Sequence, residues 1–171
     1  VLPAAAVFVA VAFGVLAFGA AATSTATIGP ATVTIALGAA PTGSTLVGLP
    51  PFGTVEAATH AGPVGVRLEL TALDLASLER FIAAGVPSAE TVAGLRTDLL
   101  LAVREAALNG AIVALAVAAA VAWALTRRRR LAAAALLAAV IVLGGFGGLA
   151  AGTFDVAAFV EPHYEGALQY A

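Results

Sequence analysis

Apolar and polar positions along the chain fall into three regimes. Leu2 to Ala22, "LPAAAVFVAVAFGVLAFGAAA", is an uncharged apolar run. At about 1.5 Å per residue, a helix of this length reaches about 30 Å, the thickness of a bilayer core. Ala106 to Thr126 and Leu131 to Ala151 are two more such runs, with four residues between them. Between the first and second runs the period drops to two. In "VGVRLELTAL" (64–73), Val64, Val66, Leu68 and Leu70 face one way and Gly65, Arg67, Glu69 and Thr71 the other, the alternation of a half-buried strand. "TVTIAL" (32–37) alternates too. "GTVEAATH" (53–60) is a weaker strand, with a turn at Gly62-Pro63 and a break at "LPPFG" (49–53). The pattern predicts three or four short antiparallel strands.

Helical spacing follows. Asp74 reads as an N-cap for Leu75, Leu78, Phe81 and Ile82, with Gly85 as the stop. Ser88 caps a second helix, and no proline interrupts the chain from Ala89 into the second apolar run. One long helix is therefore expected to leave the polar segment and enter the bilayer. The predicted architecture is an α-helical membrane protein with three transmembrane helices, at 1–22, 106–126 and 131–151. The last two form a tight hairpin around an arginine loop at 127–130. A small α+β domain of antiparallel strands and two helices occupies 23–105, and a short acidic tail occupies 152–171. A cleaved signal peptide is the competing reading of the first run, because Ala20-Ala21-Ala22 fits a cleavage site. The run is long for that role and lacks a basic leader, which favours an uncleaved helix.

Composition agrees with the bilayer as solvent: 61% of the 171 residues are hydrophobic and 11% charged, and the mean hydropathy is +1.04. Charge adds orientation. Arg127, Arg128, Arg129 and Arg130 are half of the 8 basic residues. Basic residues in short loops stay in the cytoplasm. The loop is thus expected to be cytoplasmic, with 23–105 and 152–171 outside a plasma membrane crossed three times. The outer segment is acidic, with Glu56, Glu69, Asp74, Glu79, Glu90, Asp98 and Glu105 against Arg67, Arg80, Arg96 and Arg104. Anionic lipid headgroups are the natural partners of the loop. Nucleic acid is not expected, because a four-residue loop pinned at a bilayer has little reach.

Candidate chemistry is sparse. The chain has no cysteine and two histidines. His60, near Glu56 and Thr59, is expected in a turn or on the surface. His163, near Glu161, Tyr164 and Glu165, is expected on a surface segment. Neither belongs to a metal-ligand spacing, and no phosphate-binding or nucleophile motif occurs. No catalytic, metal or cofactor residue is assigned, and no cofactor is expected. Gly144, Gly148 and Gly152 recur every four residues, a spacing that lets membrane helices approach; packing against the second span is the simplest use. Asn109, the strongly polar residue within that span, is expected to make an interhelical hydrogen bond. The spans carry no charge, which disfavours a pump or ion-coupled transporter.

The order of parts also carries a resemblance. A first span, the segments "IGPATVTIALG" and "FGTVEAATHAGPVGVRLEL", the helix "LDLASLERFIA", an arginine-closed hairpin and the closing "TFDVAAFVEPHYEGALQYA" follow one another. Together they resemble the N-terminal membrane region of actinobacterial membrane-associated metallophosphoesterases of the calcineurin-like superfamily. The resemblance implies that a two-metal phosphoesterase domain follows Ala171 in a longer protein. The D-x-H, G-D-x-x-D and G-N-H signatures of that domain do not occur here; Asp155 is followed by Val156 and Ala157. The chain would then be a non-catalytic membrane anchor and extracytoplasmic accessory region, with the enzyme domain in cis. The alternative is a self-contained envelope sensor or assembly subunit that binds a partner through its outer domain.

Overall fold

The computed structural model describes residues 2–40, 43–159 and 163–167. Glu161 and the last four residues of the expected acidic tail lie outside the described residues. Four helices and a sheet make up the molecule: α1 (Leu2–Ala21), β1 (Thr23–Ile28), β2 (Ala31–Ala39), β3 (Thr45–Leu49), β4 (Gly53–Ala57), β5 (Val64–Leu73), α2 (Leu75–Ala83), α3 (Ala89–Thr126), α4 (Arg129–Gly152) and β6 (His163–Gly166). A single 3-10 turn, Val156–Phe159, separates α4 from β6.

Three helices, α1, α3 and α4, are long and apolar enough to cross a membrane. The capping chemistry sets their ends. Asp74 accepts from the Ala76 N–H at the start of α2, and Ser88 accepts from the Thr91 N–H at the start of α3. Because nothing breaks the chain after Ser88, α3 runs for 38 residues, about 57 Å. Only its later part can lie in a bilayer core; the rest stands beneath the sheet.

Small residues pack the bundle. Ala102, Ala106, Gly110, Ala114, Ala118 and Ala122 recur every four residues on α3, and all are buried. They form a stripe against which α1 lies closely. A Cβ on Gly14 of α1 would stand 2.9 Å from the Ala114 carbonyl oxygen. A Cβ on Gly110 would stand 2.5 Å from that of Ala22. Helices meet this closely in lipid because dispersion contacts and backbone approach replace the missing hydrophobic drive. At the opposite end Ala10, Ala122 and Ala135 gather one residue from each of the three helices.

The sheet has six strands in the order β1-β2-β5-β3-β4-β6. It is mixed, which corrects the expectation of three or four antiparallel strands. β3 pairs in parallel with β5, while the other neighbours are antiparallel. The physical reason is that a period of two reports which face is buried and not which strand is the neighbour. β5, with the strongest alternation, takes a central place between β2 and β3. β1 and β3 were not anticipated because they are short and rich in Thr or Gly. β6 comes from the tail: it pairs with β4, His163 opposite Glu56 and Glu165 opposite Thr54. One face of the sheet closes on α3. Ile35 and Leu37 of β2 are buried with Ala22, Ala102 and Ala106, and the Ser24 hydroxyl donates to the Ala102 carbonyl at 2.7 Å.

The hairpin is tighter than expected. α3 ends at Thr126 and α4 begins at Arg129, so Arg127 and Arg128 alone make the turn and Arg129 and Arg130 are helical. The glycines of α4 also differ from expectation. Gly144, Gly148 and Gly152 are exposed, and a Cβ on any of them would meet nothing within 4 Å. They do not pack against α3 because the alanine stripe already serves α1, and α4 touches the bundle through Ala135 and Ala139.

Candidate membrane-interface site

The sheet and the arginine turn lie at opposite ends of the bundle. Ala102 and Ala106 of α3 touch the sheet core, while the turn follows Thr126, some 20 residues or about 30 Å further along the same helix.

At the turn, Arg127 closes α3 as its C-cap. Its N–H donates to the Trp123 carbonyl at 2.7 Å, and its φ of 55° is left-handed. A non-glycine residue there costs about 1–2 kcal/mol. The Arg127 guanidinium lies 4.8 Å from the Trp123 ring centroid, a cation–π contact that offsets about 0.5–1 kcal/mol at an exposed site. The Thr126 hydroxyl donates to the Ala122 carbonyl at 2.6 Å and accepts from the Arg128 N–H at 3.3 Å. Arg128 is the N-cap of α4 without a side-chain cap hydrogen bond. Arg129 and Arg130 then set positive charge against the positive end of the α4 dipole, an unfavourable placement. All four arginine side chains are exposed. Stability alone would not select these residues.

Beside the turn, α1, α3 and α4 line an open groove of about 650 Å³. Its walls are Pro3, Ala5, Ala6 and Val9 of α1, Leu125 and Thr126 of α3, Leu131 of α4, and Arg128 of the turn.

A second polar centre joins the sheet to the end of α4. His60 is 9% exposed, so the expectation of a surface histidine is corrected: it sits in the β4–β5 connection but points inward. Its Nε2 lies 2.7 Å from the Val64 carbonyl, which has only acceptors, so Nε2 carries a proton and donates. Its Nδ1 is 2.8 Å from the Thr59 hydroxyl, and Thr59 is 2.8 Å from the Thr45 hydroxyl. In the tautomer with the proton on Nε2 alone, Nδ1 accepts from the Thr59 hydroxyl, which in turn accepts from Thr45. The ring stacks on Phe154, centroids 6.3 Å apart. The Ala61 N–H donates to the Thr153 hydroxyl at 2.8 Å, and the Asp155 N–H to the Thr59 carbonyl at 2.7 Å. These bonds tie the chain leaving α4 to the sheet, and they leave no buried side-chain polar atom among the described residues without a partner. A satisfied histidine of this kind is an architectural joint. Nothing in the sequence spacing distinguishes it from a turn histidine.

The other sequence-singled residues are dispersed. Asn109 Nδ2 donates to the Thr23 carbonyl at 3.2 Å, so its bond reaches the first residue of β1 rather than a neighbouring helix. His163 is exposed on β6. Among the described residues no group of three or more His, Asp or Glu stands close enough to hold a metal ion. A shallow cleft of about 600 Å³ lies far from the bundle, between the β1–β2 turn, α2 and the start of α3. Arg80 on its wall is already bonded to the Ser77 hydroxyl at 2.9 Å and the Ala76 carbonyl at 3.2 Å.

No family model, curated protein or solved structure matches the chain.

Proposed function

We propose that the chain is the membrane-anchoring and extracytoplasmic accessory region of a larger envelope protein. The observation that carries this reading is the placement of four exposed arginines at one end of a three-helix apolar bundle and of the sheet at the other. Positive charge in a short turn holds that end in the cytoplasm. The sheet, built on the upper part of α3, then stands outside a plasma membrane. The turn is a topology determinant that also meets anionic headgroups. Since β6 returns to the sheet after α4, the chain beyond α4 emerges on the same side as the sheet. A domain attached there would share its compartment. The resemblance would make that domain a metallophosphoesterase, with the catalytic groups carried there.

Reporter fusions test the orientation. A reporter active only in the cytoplasm should give signal when inserted at Arg129 and none at Gly62. The opposite pattern overturns the reading. The alternative, a self-contained sensor or assembly subunit, draws support from α2, whose Leu75 and Ile82 are each 67% exposed on an amphipathic helix away from the bundle. That reading expects a partner to co-purify with the intact chain and to be lost with Leu75→Ser/Ile82→Ser.

A further inference from the structure

We propose that the groove beside the arginine turn is a binding site for one anionic phospholipid, its phosphate on Arg128 and one acyl chain between α1 and α4. The inference rests on the reading that this end of the bundle lies at a membrane surface.

Two independent features of the groove converge. The first is shape. Pro3, Ala6 and Val9 of α1 face Leu125 of α3 and Leu131 of α4 across about 650 Å³. Pro3 to Val9 covers about 9 Å along the helix axis, so the cleft takes the upper part of an acyl chain. A chain in a cleft meets apolar atoms on two sides, whereas a chain on a convex helix meets them on one. Dispersion contact therefore favours the cleft over the general lipid shell. The second is charge. Segments 1–22 and 106–151 contain no Asp or Glu at all. The four arginines of the turn thus have no carboxylate within the bundle to neutralise them, and their side chains are exposed. Arg128, in the turn beyond the end of α3, lines the cleft with these apolar residues and is exposed, so a phosphodiester can accept two guanidinium hydrogen bonds from it in a planar fork. An apolar wall with a guanidinium at one end is complementary to a lipid with a phosphate at one end. A zwitterionic lipid fits the wall equally well but brings its own cation towards four others. Selectivity for net negative charge follows.

The test uses the full chain, extracted from phosphatidylcholine bilayers containing a minority of phosphatidylglycerol, with bound lipid counted by native mass spectrometry. One phosphatidylglycerol per chain should be retained in preference to phosphatidylcholine. Ala6→Phe and Val9→Phe, which fill the cleft, should each abolish that retention while circular dichroism keeps its helical signal. Arg128→Gln removes the charge while keeping a polar side chain and should lower retention several-fold, whereas Glu79→Gln on α2 should not alter it. Equal retention of the two lipids overturns the proposal. So does unchanged retention in whichever cleft-filling variant stays helical, or in Arg128→Gln. Soluble glycerol phosphate added in excess should fail to displace the lipid; displacement would assign binding to the headgroup alone and overturn the role of the cleft. Retention is read in detergent and does not depend on orientation. An inverted reporter pattern with selective retention would remove the topology and leave the site, and the converse would do the reverse.

Discussion

At the scale of single residues, the polar side chains of greatest consequence are those whose partners are far away in sequence or fixed by a cap. His60 completes a directed chain, from Thr45 through Thr59 to Nδ1 and from Nε2 to the Val64 carbonyl. His60→Ala leaves a buried hydroxyl and a buried carbonyl without partners. Each unsatisfied group costs about 1–3 kcal/mol, so a clear fall in the thermal midpoint is expected by circular dichroism in detergent. His60→Gln, which can still donate to Val64 or accept from Thr59, should fall less. Asp74 offers a pH signature outside the bilayer. The Ser77 hydroxyl, then the Ser77 backbone N–H, with smaller help from the Ala76 N–H and the Arg80 charge, hold its carboxyl below the ordinary carboxylate range against an opposing desolvation. A carboxyl with a lowered folded pKa stabilises the fold fully above its unfolded value. It loses that contribution as the pH falls through the folded one. Hydrogen exchange of the α2 amides, corrected for intrinsic rates, should therefore accelerate several-fold on acidification into that range. Asp74→Ala should show the faster exchange at neutral pH, with no further acid step. An acid step that persists in the variant would assign it to another group.

At the scale of elements, α3 sets the geometry of everything else. Its small-residue stripe from Ala102 to Ala122 makes one continuous seat, first for the sheet and then for α1. Gly110 lies where the two meet, its Cα side against Ala22 and the Phe18 ring. Gly110→Val cannot be accommodated without α1 moving away, because the first added carbon already collides. The chain has no native cysteine, so a Cys pair at Ala10 and Ala122 can report the distance. Oxidation should cross-link that pair efficiently in the parent chain and markedly less with Gly110→Val; equal cross-linking would mean that α1 and α3 are not held by this stripe. The elements differ in how far the sequence revealed them. The three apolar runs and the caps at Asp74 and Ser88 are local properties, legible from length and residue type, and the structure contains them. β5 is legible because eight alternating residues, Val64 to Thr71, report one half-buried face. Its neighbours are not, since local alternation says nothing of which strand pairs alongside, and the parallel partner β3 is set by tertiary placement. β6 carries no pattern of its own in four exposed residues; pairing with β4 makes it a strand. The groove at Arg128 escapes the sequence for the same reason. Its walls come from α1 and, more than a hundred residues later, from the adjoining ends of α3 and α4, and only the alanine stripe, by fixing how close those helices approach, brings them together.

At the scale of the whole molecule, the proposed orientation rests on one short turn. The apolar helices themselves are nearly symmetric for this purpose: a run of Ala, Val and Leu crosses a bilayer equally well in either direction. The asymmetry lies in charge. The turn brings four positive charges, and the segment from 23 to 105 brings seven acidic residues against four arginines. Basic residues weigh heavily in orientation and acidic ones little, so the sheet should contribute less than the turn. Local structure strengthens the inference. Arg127 is strained, Arg128 leaves its helix uncapped, and Arg129 and Arg130 oppose the α4 dipole. The run is thus costly to the hairpin fold, as the proposed role of positive charge at a membrane surface would allow. Replacing all four with Gln should relieve the charge–dipole cost at Arg129 and Arg130 and remove the bias together; the left-handed backbone at 127 and the uncapped start of α4 stay, and the Trp123 cation–π contact goes. The helical signal should persist, while reporters at Arg129 and Gly62 should change from a one-sided pattern to a mixed population. Replacing only Arg129 and Arg130 should leave the pattern one-sided, because two positive charges remain in the turn. A quadruple variant that keeps the one-sided pattern would transfer the control of topology to the α1 end or to the folded sheet domain, and would leave the arginines with lipid binding alone.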